Sequence, residues 1–212
     1  MKTLNVYLES LLDDDDVFYD PENDKKAIED WINNNYKIVG DLTISDDFVV
    51  DCKGSVYVKN ISTTSLTNGL FRWGNVSITF SCNGCSKLTS LEGSPKKVGG
   101  GFYCNNCKNL KSLEGSPEVV DGSFYCNVCN SLRTLEGAPK EVGWDFDLTN
   151  CDNLTSLEGA PEKVMKFICI GCENLKTLEG APKKIGKGLY CRNCKNLKLT
   201  DSDCEKYKVQ EY

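Results

Sequence analysis

From about residue 76 to residue 199 the apolar residues fall into rows that recur along the chain. Cysteines stand at Cys85, Cys107, Cys129, Cys151, Cys172 and Cys194, at spacings of 22, 22, 22, 21 and 22. Five positions before each lies an apolar residue (Phe80, Phe102, Phe124, Phe146, Phe167, Leu189), and three positions after each lies a leucine, from Leu88 to Leu197. A second leucine row (Leu91 to Leu178), a glycine row (Gly93 to Gly180) and a proline row (Pro95 to Pro182) complete the unit F-x-C-x-x-C-x-x-L-x-x-L-E-G-x-P-x-x-V. The F-x-C segment alternates with period two and predicts a short strand, whereas E-G-x-P predicts a turn. A unit this short cannot bury its apolar edge alone, but copies stacked about 4.8 Å apart share one core. The pattern predicts a mainly β, parallel-strand solenoid with a regular part over 81–199.

Upstream the rows decay. GDLTI (40–44), GSVYV (54–58) and GNVSI (74–78) keep a glycine-led apolar alternation at irregular spacing, so 38–80 read as degenerate opening coils. Residues 1–37 read as an acidic segment followed by a capping helix. Over 21–36, proline and acidic residues suit a helix N-terminus, and Ala27, Ile28, Trp31 and Ile32 share a face. Thr200 replaces the expected second leucine, and 200–212 read as a polar cap or tail where the core stops.

Five of the units carry a CxxC pair. In the fourth copy the first cysteine is replaced by Leu148 while its neighbours stay in register. A position that takes Cys or Leu is an apolar core position, and free cysteine packs as a small hydrophobe. The alternative is zinc, with pairs on neighbouring coils converging on four sulfurs. A regular row offers every coil the same ligands and argues for packing, so neither a metal nor a cofactor is expected. Thirteen cysteines cannot all pair internally, which weighs against a disulfide framework. A redox CxxC needs a helix N-terminus to lower its thiol pKa, which strand–turn units do not supply.

The run F-x-C-x-x-C-x-x-L-x-x-L resembles the leucine-rich-repeat consensus, with the second cysteine at the position that family gives to Asn or Cys. The SLEGAP…VGG.F.C wording is similar to "LEGAP"-type repeat proteins of bacteriophages and bacteria. The resemblance implies leucine-rich-like repeats, a curved parallel sheet and protein recognition on its strand face. It also implies a host-cell protein, such as a defence component, as the partner, and a host cytoplasmic location.

Composition narrows the function further. The net charge of −6 is concentrated in residues 1–35, which hold three Lys against seven Asp and three Glu, leaving the remainder at +1. No basic stripe exists for nucleic acid and no polybasic patch for a membrane surface. Residues 1–20 read as neither a signal peptide nor a membrane span, so a cytoplasmic location with reduced thiols is the expectation. Histidine is absent, which removes Ser–His and Cys–His nucleophiles and His-ligated metals; the chain reads as a non-enzyme. The Asp13–Asp16 run lacks the glycine and later oxygen ligands of a calcium loop and reads as an acidic surface loop. Glu92, Glu114, Glu136, Glu158 and Glu179 recur on every coil, as a solvated edge would. After the prolines, Lys96, Glu118, Lys140, Glu162 and Lys183 alternate in sign, which predicts a lateral ladder of opposite charges.

Function is sought where the repeat is not repeated. Between the inward strand positions lie Ser81, Tyr103, Tyr125, Asp147, Ile168 and Tyr190, which alternation turns outward. Two residues before the Phe row lie Gly100, Gly122, Trp144, Met165 and Lys187, and Asn105, Asn127, Lys166 and Arg192 flank the surface. Exposed Tyr, Trp, Met and Ile predict a face that binds a partner protein. A small-ligand pocket between the cap and the first coils is a further alternative, with no motif behind it.

Overall fold

Pro21 opens a fifteen-residue helix, α1 (Pro21–Asn35), in which Glu22 and Asp24 lie in the first turn, where the helix dipole favours negative charge. Ile28 and Ile32 are buried and Trp31 is half-buried, but Ala27 is exposed. At about 100° per residue Ala27 sits about 90° from the centre of the Ile28–Trp31–Ile32 stripe, too far round to face the core. The Trp31 ring meets Tyr36 and Phe71 at 5.7 Å each. Tyr36 meets Trp73 at 5.3 Å, and Trp73 meets Phe80 at 6.0 Å. The helix is therefore joined by aromatic contacts to the first ring of the repeat and covers that end of the core. The structure, a computed structural model, describes residues 21–59, 66–67 and 69–210. The acidic stretch 1–20 with Asp13–Asp16 lies outside the described residues, as does the end of the tail at 211–212.

Thirteen strands among the described residues form one sheet. In chain order they are β1 (Tyr36–Ile44), β2 (Val49–Val58), β3 (Arg72–Val76), β4 (Phe80–Ser81), β5 (Lys97–Val98), β6 (Phe102–Tyr103) and β7 (Val119–Val120). There follow β8 (Phe124–Tyr125), β9 (Glu141–Val142), β10 (Asp145–Asp147), β11 (Lys163–Ile168), β12 (Lys184–Tyr190) and β13 (Val209–Gln210). The fold is a parallel-strand β-solenoid of about 7 turns of roughly 22 residues, with the helix ahead of the strands.

Two parallel ladders run side by side. Val49 and Val50 of β2 pair with β3, and Val56 and Tyr57 pair with β4. One ladder continues through β5, β7 and β9, the other through β6, β8 and β10. In β11 and β12 the ladders merge. The cause is one residue: three residues separate Val98 from Phe102, Val120 from Phe124 and Val142 from Phe146, but only two separate Val164 from Phe167. The shorter connection explains the spacing of 21 and lets β11 run unbroken. Its neighbour β12 keeps the extra residue, and the register shifts between Val164 and Lys166.

Two sequence expectations need correction. GDLTI (40–44) does not open a parallel coil: β1 runs antiparallel to β2 over nine residue pairs, from Tyr36↔Val58 to Ile44↔Val50. Glycine-led alternation reads the same for either direction of pairing. At the other end the sheet does not stop at Thr200. Thr200 caps a helix, α2 (Asp201–Tyr207), with a capping box to Asp203, and β13 then pairs parallel to β12. Tyr207 is 8% exposed and closes that end of the core.

The interior is a set of stacked rows. Phe80, Phe102, Phe124, Phe146 and Phe167 are fully buried, with successive ring centroids 5.1 to 5.5 Å apart and planes 9 to 16° from parallel. Both leucine rows are buried beside them from Leu88 to Leu178. At the E-G-x-P turn the chain needs glycine twice over: Gly137 has φ +84°, and an added Cβ would lie 2.4 Å from the Cα of Glu114 on the preceding coil.

Candidate functional site

The CxxC segments lie side by side, one per coil. Cys82, Cys104, Cys126, Leu148, Cys169 and Cys191 form one buried row. The second row makes a thiol ladder: Cys107 Sγ donates to the Cys82 carbonyl (3.2 Å), Cys129 to Cys104 (3.2 Å), Cys151 to Cys126 (3.1 Å), Cys172 to Leu148 (3.2 Å) and Cys194 to Cys169 (3.0 Å). Each bond crosses from one coil to the one before it. All thirteen cysteines are free. Among the described residues no three Cys, Asp or Glu are grouped to hold a metal ion.

The spacing of the pair is that of a turn. Cys85 N–H donates to the Cys82 carbonyl at 3.2 Å, and Cys151 to Leu148 at 3.1 Å, closing four residues. The third residue of each turn is left-handed: Gly84 (φ 74°), Asn106 (61°), Val128 (59°), Asn150 (59°), Gly171 (70°) and Asn193 (62°). Glycine and asparagine adopt this region readily; the β-branched Val128 does so at a cost. The alternation of Gly and Asn down this row was a signal in the sequence for the turn.

Burial governs the thiols. It pushes the Cys85 pKa up to about 12, with Cys82 beside it adding to the shift, and raises Cys104 well above the ordinary thiol value. Cys194, half-buried in the last regular coil, departs: the neighbouring Cys169 and Cys172 thiols favour its charged form and hold its pKa below the ordinary value.

The outward row is continuous across the sheet. Ser81, Tyr103, Tyr125, Asp147, Ile168 and Tyr190 pair in register on successive strands, all half-buried. The row is longer than the sequence reading made it, beginning at Tyr57 opposite Ser81 and ending at Gln210 opposite Tyr190. The Tyr103 and Tyr125 rings stack at 5.3 Å with planes 12° from parallel. Trp144 stands 61% exposed where the ladders separate in the fourth coil. Met165 is half-buried, and Lys187 and Arg192 are exposed.

Several polar members of the predicted surface are committed to the fold. Lys166 pairs with Asp145 at 3.6 Å across the strands. Asp147 Oδ1 accepts from the Thr149 amide (2.9 Å) and hydroxyl (2.6 Å), and Asp147 Oδ2 accepts from Asn127 Nδ2 at 3.4 Å. The Asn105 amide donates to Asn83 Oδ1 and the Asn127 amide to Asn105 Oδ1, both at 2.8 Å. Because Asp147 takes the Thr149 amide, this amide ladder stops and the buried Oδ1 of Asn127 has no partner. The fourth coil is thus where the surface repeat breaks, at Trp144, Asp147 and Thr149.

The predicted charge ladder is corrected. Backbone bonds place Glu118 beside Lys96 and Glu162 beside Lys140. Yet among the described residues no ion pair within 4.0 Å joins Lys96, Glu118, Lys140, Glu162 or Lys183. Long exposed side chains gain little from holding one geometry. The Glu92-to-Glu179 row is exposed on every coil.

Fold and surface together define a parallel β-solenoid with an aromatic outward row. Comparisons with family models, curated proteins and solved structures return no match for this chain. No helix among the described residues is long and apolar enough to cross a membrane.

Proposed function

We propose that this solenoid is a non-enzymatic scaffold that recognises a partner protein through its outward strand face. The observation that carries the reading is the stacked Tyr103–Tyr125 pair on that face, with Trp144 exposed in the next coil. Tyrosine and tryptophan supply large contact area at small entropic cost and are enriched at interface hot spots. The absence of histidine leaves no usual proton shuttle and supports a binding role. With Lys166 and Asp147 engaged within the fold, the recognition residues reduce to Tyr103, Tyr125, Trp144, Met165, Ile168 and Tyr190, with Lys187 and Arg192 at the edge. On the phage-repeat resemblance, a host protein, defence components included, is the first partner to seek. The test is affinity capture from host lysate with the native chain and a Tyr125→Ser, Trp144→Ser, Tyr190→Ser variant. A partner held by the native chain and lost by the folded variant supports the reading; equal capture by both removes it.

A further inference from the structure

A groove of about 500 Å³ opens between β9, β11 and β12, on three successive coils, and α2. Its apolar floor is half-buried at Met165, Ala181 and Ile185, with Val164 and Tyr207 buried beneath. Its rim carries Lys163, Lys183, Lys184, Lys206 and Lys208, all exposed, and no Asp or Glu lines it. Lys163 and Lys184 stand directly opposite each other in the parallel register, an arrangement of like charges that costs stability. Glu141 is the register partner of Lys163 on its other side, and Glu162 precedes it in the chain. Neither carboxylate, nor any other among the described residues, comes within 4.0 Å of the five ammonium groups. Lys206 instead lies 4.6 Å over the Tyr207 ring, at the edge of the apolar floor. The cluster is local to an acidic chain: residues 181–212 hold seven Lys and one Arg against two Asp and two Glu, within a total of −6.

We propose that this groove docks an acidic peptide segment of a partner protein, with an apolar side chain on the floor and flanking carboxylates on the lysine rim. From β9 across β11 to β12 the groove spans two strand spacings, roughly 10 Å, the length of about three extended residues, before it meets α2. Such a segment places successive side chains on opposite sides, which suits a site with an apolar base and a charged margin. A nucleic acid backbone would meet the lysines but leave the apolar floor unfilled. This site shares Met165 with the outward face but lies apart from Tyr103 and Tyr125, and it stands whether or not that face binds a protein.

The test uses the native chain and fluorescence polarisation of a labelled peptide, Leu-Asp-Asp-Phe-Asp-Asp-Leu, at about 150 mM salt. Saturable binding is expected, weakened about tenfold or more by Lys183→Glu with Lys184→Glu, and unchanged by Lys108→Glu with Lys111→Glu in the second coil. The all-Asn version of the peptide should bind at least about tenfold more weakly. A Lys183→Gln, Lys184→Gln variant replaces the charge reversal if circular dichroism shows that reversal to be unfolded. The outward-face triple serine variant should bind the peptide as the native chain does. Absence of saturable binding, equal loss in both charge-reversed variants, equal binding of the Asn peptide, or displacement by an equimolar thymidine oligonucleotide would each overturn the proposal.

Discussion

Cys129 Sγ donates a hydrogen bond to the Cys104 carbonyl at 3.2 Å, joining two coils through a group that sequence motifs associate with metals. In this chain the thiol fills volume and satisfies a buried carbonyl in one step.

The two cysteine rows therefore differ in tolerance. Cys126→Ala removes volume but no ladder donor and should cost about 1 kcal/mol. Cys129→Ala removes both volume and donor and should cost about 1–3 kcal/mol. Urea denaturation of both variants checks the contrast, and equal costs would contradict the ladder.

The left-handed turn row offers a stabilising change. Val128 has φ 59° where the other coils hold Gly or Asn, so Val128→Asn should raise stability by about 1 kcal/mol. Gly137→Ala should do the reverse, losing more than about 2 kcal/mol, because the left-handed φ and the Glu114 backbone both oppose a Cβ. Thermal unfolding reads both.

Alkali should destabilise the protein through its buried thiols. The folded Cys85 pKa is raised from 9.0 to about 12, so the folded state holds its proton while the unfolded thiol releases it. That contribution to stability is complete below pH 9 and is lost as pH rises towards 12. Each such thiol loses about 1.4 kcal/mol per pH unit in this window. Denaturant midpoints at pH 8 and about pH 10.5 measure the slope; equal midpoints would contradict it.

Thiol reagents should discriminate by position. Cys194 and Cys204 are the partly exposed cysteines, and the lowered pKa of Cys194 gives it thiolate on the acid side of an ordinary cysteine. Mass spectrometry after brief iodoacetamide treatment should find Cys194 alkylated before any buried cysteine; alkylation of a buried thiol first would contradict the ordering. The buried cysteines of both rows, Cys82 to Cys191, should react only after unfolding.

The regular coils were legible because six copies vote on each position: Phe80 to Phe167 could be placed inside, and Tyr103 and Tyr125 outside, from alternation alone. What single copies carry was not. The direction of β1 depends on pairing, which a glycine-led alternation does not encode. Val209 and Gln210 form a strand through β12 rather than through their own pattern. The fourth coil was marked as different by Trp144 and Asp147, but only coordinates reveal that Asp147 is spent on Thr149 and Asn127. The lysine groove gathers residues from three coils and a helix that the repeat alignment keeps apart.

The missing residue between Val164 and Phe167 works as a notch. Gene duplication could add whole units before it, since every earlier junction has the same shape, and the rod would simply grow. On either side β11 already meets a strand with one residue more, and towards β12 the shift between Val164 and Lys166 takes up the difference. Whole units added before the notch would leave β11, β12 and the lysine-bearing end in the same setting however long the rest becomes.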